Sequence, residues 1–511
     1  MNTLLLDGQS LTLKSVLDYE RDRPQLALTA SAQGAMSASV KTVSDILRKG
    51  DVAYGINTGF GALANTSIPA SQLVDLQYNL VRSHACGVGA PFPDNLARRI
   101  ALLKANSLAI GCSGIRPAVV ELMLNLLNRG VVPLIPHKGS VGASGDLAPL
   151  AHLGLILIGE GQALVNGKTL EGLNILKAVD LKPIRLEAKE GLAFLNGTQV
   201  SAALAIEGLH MAETLLLSAI LIGALSVEGL AGSYTPFDER IHKVRNLEGQ
   251  MAVAGQFRRL LTGSDIRNSH LECERVQDPY ALRCMPQVFG AVHDTLAHAA
   301  HVLSRECNSV SDNPLIFGQD VLSGGNFHAE PLAFVSDFMS IAVSELGSIS
   351  ERRTDLLMRK VNPRLPYFLA GNPGVESGYM IAHVTAAALA SENKTLAHPA
   401  SVDSIPTSAG QEDHVSMAPW AGQKLNRIAY NVSQILAIEL LATLQAIDAQ
   451  APLRTTPPLE AAHEFVRSMV PLATKDRRLD RDIDALASLI RAGHLLDFMP
   501  GWESLSVVRT F

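Results

Sequence analysis

Three stretches of this 511-residue chain repeat their apolar residues at three- and four-residue steps for longer than an ordinary globular helix. Between Pro331 and Pro363, the stretch Leu332 to Val361 carries Val335, Phe338, Ala342, Leu346 and Ile349 on one stripe, which predicts a helix about 45 Å long. A second runs from Ala421 to Ala449, with Leu425, Ile428, Val432, Ile435 and Ala442 aligned. The third, Leu192 to Leu230, is expected to break or bend near Gly197 and Gly208. Helices this long that are apolar on more than one face need neighbours all round, so a mainly α fold is expected, a long-helix bundle shared between subunits.

Composition agrees: 47% of residues are hydrophobic and only 18% charged, which suggests that other subunits cover much of the surface. At this length the chain should divide into an N-terminal region over 1–200, partly β, and a bundle with C-terminal helices over 201–511. Alternating β patterns are brief, the best being Leu4–Leu13 and Ala163–Leu170 with its Asn166-Gly167 turn. A net charge of −6 gives no reason to expect nucleic acid or an anionic membrane as partner. The uncharged run Thr214–Val227 is too short to span a bilayer, and Met1–Asp7 lacks the basic region of a secretion signal. Five scattered cysteines (Cys86, Cys112, Cys273, Cys284, Cys307) without Cys-x-x-Cys point to a reducing, cytoplasmic setting and no structural zinc. Asp294, His298 and His301 share one helix face at ligand-like spacing, but no Glu-x-x-His accompanies them, and a polar face is the preferred reading, with no metal expected.

The chemistry-bearing residues lie in the Gly- and Pro-rich loops between helices. Ala143-Ser144-Gly145 can make an electrophile unaided. Attack of the Gly145 nitrogen on the Ala143 carbonyl, with loss of two waters, the second taking the Ser144 hydroxyl, gives an imidazolone with an exocyclic methylidene. Gly145 has no Cβ to hinder that approach. A nucleophile elbow is excluded because Asp146 stands where Gly is required. Asp146 can cap a helix and Pro149 fits its first turn, so the triplet should face a helix N-terminus, where N–H groups stabilise developing negative charge. In Tyr54-Gly-Ile-Asn-Thr-Gly-Phe-Gly61, a phosphate-binding loop competes with a phenol held among glycines, but no strand precedes it.

These loops, with Leu195-Asn196-Gly-Thr, Gln277-Asp-Pro-Tyr280-x-Leu-Arg283, Ser311-Asp-Asn-Pro-Leu and Gly324-Gly-Asn-Phe327-His328-Ala-Glu, resemble the aromatic amino acid ammonia-lyase family over residues 50 to 420. Within it the likeness is greatest to members that act on histidine. The resemblance implies a helical fold similar to the fumarase and aspartase bundles, a homotetramer, and a cofactor, 4-methylideneimidazole-5-one (MIO), made from Ala143, Ser144 and Gly145 with no external group. It implies removal of ammonia from an α-amino acid, here histidine to urocanate in histidine degradation, with Tyr54 as base and Tyr280 as a catalytic partner. Arg283 would anchor the carboxylate, with Asn196, Gln277 and Phe327 lining the pocket. Read alone, Tyr54 could be a structural phenol, Arg283 an interhelical ion pair and Asn196 a helix cap.

Substrate choice should rest on His84 and Glu412, since a carboxylate suits an imidazole and is costly against a benzene ring. Glu412 alone could be a solvated loop acid. Gly410, Met285 and Cys86 depart from the family pattern and bear on pocket shape. The rival readings are the same chemistry on phenylalanine or tyrosine, an aminomutase, and an inactive helical scaffold.

Overall fold

A computed structural model describes residues 3–271 and 276–510; Met1, Asn2 and Cys273 lie outside them. The periodic stretches do form long helices, and two more helices join them. In chain order they are α1 (Gln199–Gly229), α2 (Met285–Glu306), α3 (Glu330–Met358), α4 (Met380–Leu396) and α5 (Ala418–Asp448). The chain is mainly α as expected, and its core is the packing of these five helices on one another.

Helices α1, α3 and α5 run parallel. At one end their first turns gather round residues 141–146. At the other, the side-chain amides of Asn362 and Gln450, just beyond α3 and α5, donate to the Gly229 carbonyl that ends α1 (3.3 and 3.2 Å). Helices α2 and α4 return the chain in the opposite direction: Glu306, the last residue of α2, accepts the Thr198 hydroxyl beside the start of α1, and the His398 carbonyl beyond α4 accepts from Lys424 near the start of α5.

Three sequence expectations shift. Pro331 is the second residue of α3 and lies inside it, because a first-turn residue needs no N–H donor. The third stretch breaks at Asn196-Gly197, separating Glu190–Leu195 from α1, but continues through Gly208. There Leu425 of α5 packs so closely that a Cβ on Gly208 would lie 2.2 Å from its Cδ2, so that glycine permits helix contact. The Leu4–Leu13 pattern yields only the strand Thr3–Leu6, paired in parallel with Gln25–Leu28; the Thr12 side chain then caps a helix at Leu13–Asp22. The hairpin Gln162–Val165 with Lys168–Glu171 forms about its Asn166-Gly167 turn as expected.

The run Thr214–Val227 lies inside α1, buried on every side. By length and composition α1 and α3 could cross a membrane, but 89% and 67% of their apolar windows are buried inside the bundle. The Asp294 carboxylate accepts the Gly249 N–H (3.0 Å) and His298 packs near the Phe338 ring, as a polar helix face does. Exposed apolar side chains gather on the outside of the bundle: Phe334, Phe338 and Ile341 on α3, Ile381 and Val384 on α4, Trp420 and Tyr430 on α5.

Deep in the bundle Arg353 of α3 grips Glu439 of α5 through two hydrogen bonds, and both side chains are fully buried. The Ser226 hydroxyl of α1 and the Ser350 hydroxyl of α3 also donate to that carboxylate (2.6 and 2.5 Å), and the guanidinium lies over the Phe289 ring of α2. One ion pair thus joins four helices. Removing one member of such a pair leaves an uncompensated buried charge, which costs about 3–5 kcal/mol. Glu439→Gln should therefore lower the thermal unfolding midpoint by several degrees; a midpoint within one degree of the unaltered protein would show that the pair does not hold the bundle.

Candidate active site

Residues 139–146 form a loop pinned from several directions. The Met417 N–H, at the entry to α5, donates to the Val141 carbonyl (2.9 Å), and the Ala329 N–H, at the entry to α3, donates to the Gly142 carbonyl (3.3 Å). The Ser416 hydroxyl also donates to Gly142 O (3.0 Å). Gly145 has φ +71 and runs beside Gly197, where a Cβ would lie 2.2 Å from the Gly197 carbonyl oxygen; no other residue fits that crossing. The Asp146 N–H then donates to Gly197 O (2.7 Å), and the helix Leu147–Leu157 begins.

The triplet does face helix N-termini, and four of them: Leu147–Leu157, α1, α3 and α5. Each carries roughly half a positive charge on its unpaired N–H groups. Asp146 was expected to cap its own helix, but its side chain makes no such bond. Its carboxylate instead accepts the Ser201 N–H (2.8 Å) in the first turn of α1, the Ser201 hydroxyl (3.0 Å) and the Ser140 hydroxyl (2.9 Å). Burial pushes this carboxyl above the usual range, against those hydrogen bonds.

Ser144 is half-buried, and its hydroxyl donates to Glu412 Oε1 at 2.6 Å. The other Glu412 oxygen accepts the Thr407 hydroxyl, while the backbones of Thr407 and Glu412 pair across a tight turn. Within that turn Ser408, Ala409 and Gly410 all have positive φ, 51°, 56° and 84°. Gly410 therefore stands where glycine and asparagine are the favoured residues, and its departure from the family pattern leaves the backbone unstrained.

His84 ends the helix Leu73–His84 with Nδ1 placed 2.8 Å from the Leu80 carbonyl and 3.1 Å from the Ser83 hydroxyl. With the proton on Nδ1 for the carbonyl, Nε2 remains as an acceptor. Burial lowers the His84 pKa, while the Leu80 carbonyl and the nearby Glu412 carboxylate pull the other way. The structure thus brings together His84, Ser144 and Glu412. Tyr54 is half-buried in a loop fixed by the Asn57 side chain, and the Gly61–Leu63 turn of that loop packs against Ser408–Gly410. Phe327 is half-buried and lies two residues before Ala329, whose N–H meets Gly142.

Asn196 is buried next to the Gly145–Gly197 crossing. Its amide donates to the Asn313 carbonyl (3.0 Å), and its Oδ1, also buried, has no hydrogen-bond partner among the described residues. Its own carbonyl accepts from Lys104, whose fully buried ammonium is pushed down to about 7 by burial. Lys104, Ser416, Thr407 and the long-range role of Asp146 were missed from sequence. Pro419, in the first turn of α5, was the one local sign that residue 416 sits at a helix start.

The segment holding Gln277, Tyr280 and Arg283 does not join this group. The Ser233 N–H, just past the end of α1, donates to the Asp278 carboxylate (2.6 Å), whereas Asp146 holds the first turn of α1. Thirty-one helical residues, about 45 Å, separate those two ends. Gln277 and Tyr280 are exposed, and the Arg283 guanidinium lies 4.6 Å from the Tyr280 ring, with its buried Nε lacking a hydrogen-bond partner among the described residues.

Residues 11–468 match the profile of the family described as aromatic amino acid lyase. Over 503 residues the chain is 53% identical to a histidine ammonia-lyase of Salmonella choleraesuis (strain SC-B67), covering 98% of this chain and 99% of that one. In fold it is similar to histidine ammonia-lyase from Trypanosoma cruzi (TM-score 0.90, 40% identity, 98% and 95% of the two chains) and to a tyrosine aminomutase from Streptomyces globisporus (TM-score 0.92, 35% identity, 97% and 98%). With the pinned Ala143-Ser144-Gly145 loop at the meeting of four helix N-termini and a family match over most of its length, the chain belongs to the aromatic amino acid lyase family.

Proposed function

We propose that this protein deaminates L-histidine to trans-urocanate and ammonia, and the observation that carries the reading is the hydrogen bond between Ser144 and Glu412. It places a carboxylate beside the electrophile-forming residue, with His84 alongside. A pocket for phenylalanine or tyrosine would have to bury that carboxylate against a benzene ring without a donor. The histidine ammonia-lyases among the relatives support the same substrate over the aminomutases, which are less alike in sequence.

The triplet fits the MIO group: Gly145 leaves no Cβ in the way, Ala143 is small and buried, and the helix ends favour negative charge on the ring oxygen. MIO, made from residues 143–145, supplies an electrophile for the substrate amine. Tyr54 takes the β-proton while the C–N bond breaks and its electron pair leaves with the nitrogen, so the freed C–H pair becomes the new double bond. Glu412 accepts the imidazole N–H and His84 Nε2 contacts the ring. Arg283 pairs with the carboxylate through two parallel hydrogen bonds. Asn196 presents its unpartnered Oδ1, and Phe327, Gln277 and Tyr280 close the pocket.

Because α1 holds Arg283 and Tyr280 about 45 Å from Ser144 within one chain, a complete site takes residues from more than one copy. Exposed Phe334, Phe338, Ile341 and Trp420 supply apolar surface for that association, which we assign as a homotetramer. Residues 1–200 then carry the electrophile, and 201–511 carry the bundle that assembles the copies. A cytoplasmic setting suits Cys86, Cys112, Cys284 and Cys307, none of which is paired.

Incubation with histidine, phenylalanine and tyrosine, followed by the ultraviolet absorbance of each unsaturated acid, tests the substrate; urocanate alone is expected. Ser144→Ala should abolish turnover while leaving the helical circular dichroism unchanged, and its intact mass should show no loss of two waters; substantial residual turnover would remove the electrophile from the mechanism. Glu412→Gln should cut kcat on histidine by at least about a hundredfold, and an unchanged rate would move substrate reading to other residues. Ser144→Ala and Arg283→Ala chains, each inactive alone, should regain activity when co-expressed, since some sites in mixed assemblies combine intact residues. No recovery in mixed assemblies would mean that each chain completes its own site.

A further inference from the structure

Next to the pocket, on two separate loops, stand three metal-ligating side chains that the deamination does not use. His328 and Glu330 flank the entry to α3, and His414 follows Glu412 by two residues. One donor atom from each lies within 4.8 Å of the other two. His328 Nε2 and His414 Nδ1 are 3.3 Å apart, with the rings 5.4 Å apart and inclined at 33°. His328 Nε2 is also 3.3 Å from the His414 carbonyl, so both of its contacts sit beyond the usual hydrogen-bond range and neither fixes the ring strongly.

The spacing has a simple meaning. Two donors bound tetrahedrally to zinc at about 2.0–2.1 Å lie about 3.3 Å from each other. Glu330 Oε2 is a buried atom with no hydrogen-bond partner among the described residues, and it lies 3.9 Å from His328 Nδ1. That nitrogen is on the far side of the ring whose Nε2 faces His414, and the three-way closeness of one donor atom from each residue, within 4.8 Å, is what places the carboxylate in the cluster. Neighbouring charges are already engaged: Asp337 pairs with Lys424 (3.0 Å), and Glu412 is held by Ser144 and Thr407.

We propose that His328, Glu330 and His414 form a site for a divalent transition-metal ion of the zinc type, which fastens the 324–330 loop to the 411–417 loop. Two imidazoles and one carboxylate are a three-ligand set with an open fourth position, and the imidazoles select zinc, cobalt or copper over magnesium and calcium. Both loops touch the 139–146 loop, through Ala329 to Gly142 and through Met417 to Val141. The ion would therefore restrain Phe327 and Glu412 without contacting the triplet.

Calorimetric titration of tag-free, metal-stripped protein with cobalt(II) and zinc tests this, with magnesium as the contrasting ion. One cobalt per chain is expected, with the visible absorption of a tetrahedral nitrogen and oxygen site, while magnesium gives no saturable binding. His414→Asn and His328→Asn should each weaken cobalt binding by at least about tenfold, and His494→Asn, at an exposed position elsewhere, should leave it unchanged. His414 is exposed, so its variant tests the site without disturbing the core. Zinc should also raise the thermal midpoint of the unaltered protein and not that of His414→Asn. Affinities within twofold of the unaltered protein in both histidine variants, or no saturable cobalt binding, would overturn the site.

Discussion

The Asp146 carboxylate is the tie on which the arrangement of the site depends. It leaves the triplet loop, enters the first turn of α1 and takes both donors of Ser201, so residues 143–145 are registered against a long and almost wholly buried helix. Burying that charge alone would cost several kcal/mol, and hydrogen bonds to a charged acceptor return about 1.5–3 kcal/mol each. The raised Asp146 pKa shows that burial still outweighs them. The helix N-termini around the loop favour the charged form, which gives a physical reason for an acid at this position.

The same helix ends set the direction of the bundle. Parallel packing of α1, α3 and α5 places their positive ends together, an arrangement that α2 and α4 balance by running back between the ends. A concentration of unpaired N–H groups is unfavourable unless something negative fills it. Here Asp146 and Glu306 are buried on one side, and Glu412 approaches from the other through Ser144. The positive region is thus answered on its protein sides and left available at the triplet, where a ring built from residues 143–145 would gather negative charge.

What the sequence made legible was periodicity and chemistry. The apolar stripes of α1, α3 and α5 were readable because each repeats over many turns, and the errors fell at proline and glycine: Pro331 reads as a boundary but is tolerated inside a first turn, and Gly208 reads as a break but lies within α1. The triplet was readable because its residue types permit one reaction. The contact of Asp146 with Ser201 was not, since 55 residues separate them and nothing local distinguishes that acid from an ordinary cap. The position of Glu412 depends on three consecutive positive-φ residues, of which only Gly410 announces itself.

The 277–283 segment shows why motif order cannot stand in for site geometry. In sequence it reads as one more loop of the same pocket, equal to those at Tyr54 and Asn196. Yet α1 is a rigid spacer: its first turn holds Asp146, and the residues just beyond its end hold Asp278, so no loop movement of a few ångströms can close about 45 Å. Long helices are usually explained by the core they bury. Here their length also keeps Arg283 and Ser144 of one chain at opposite ends of the bundle, while α3, α4 and α5 carry exposed apolar side chains on its outside.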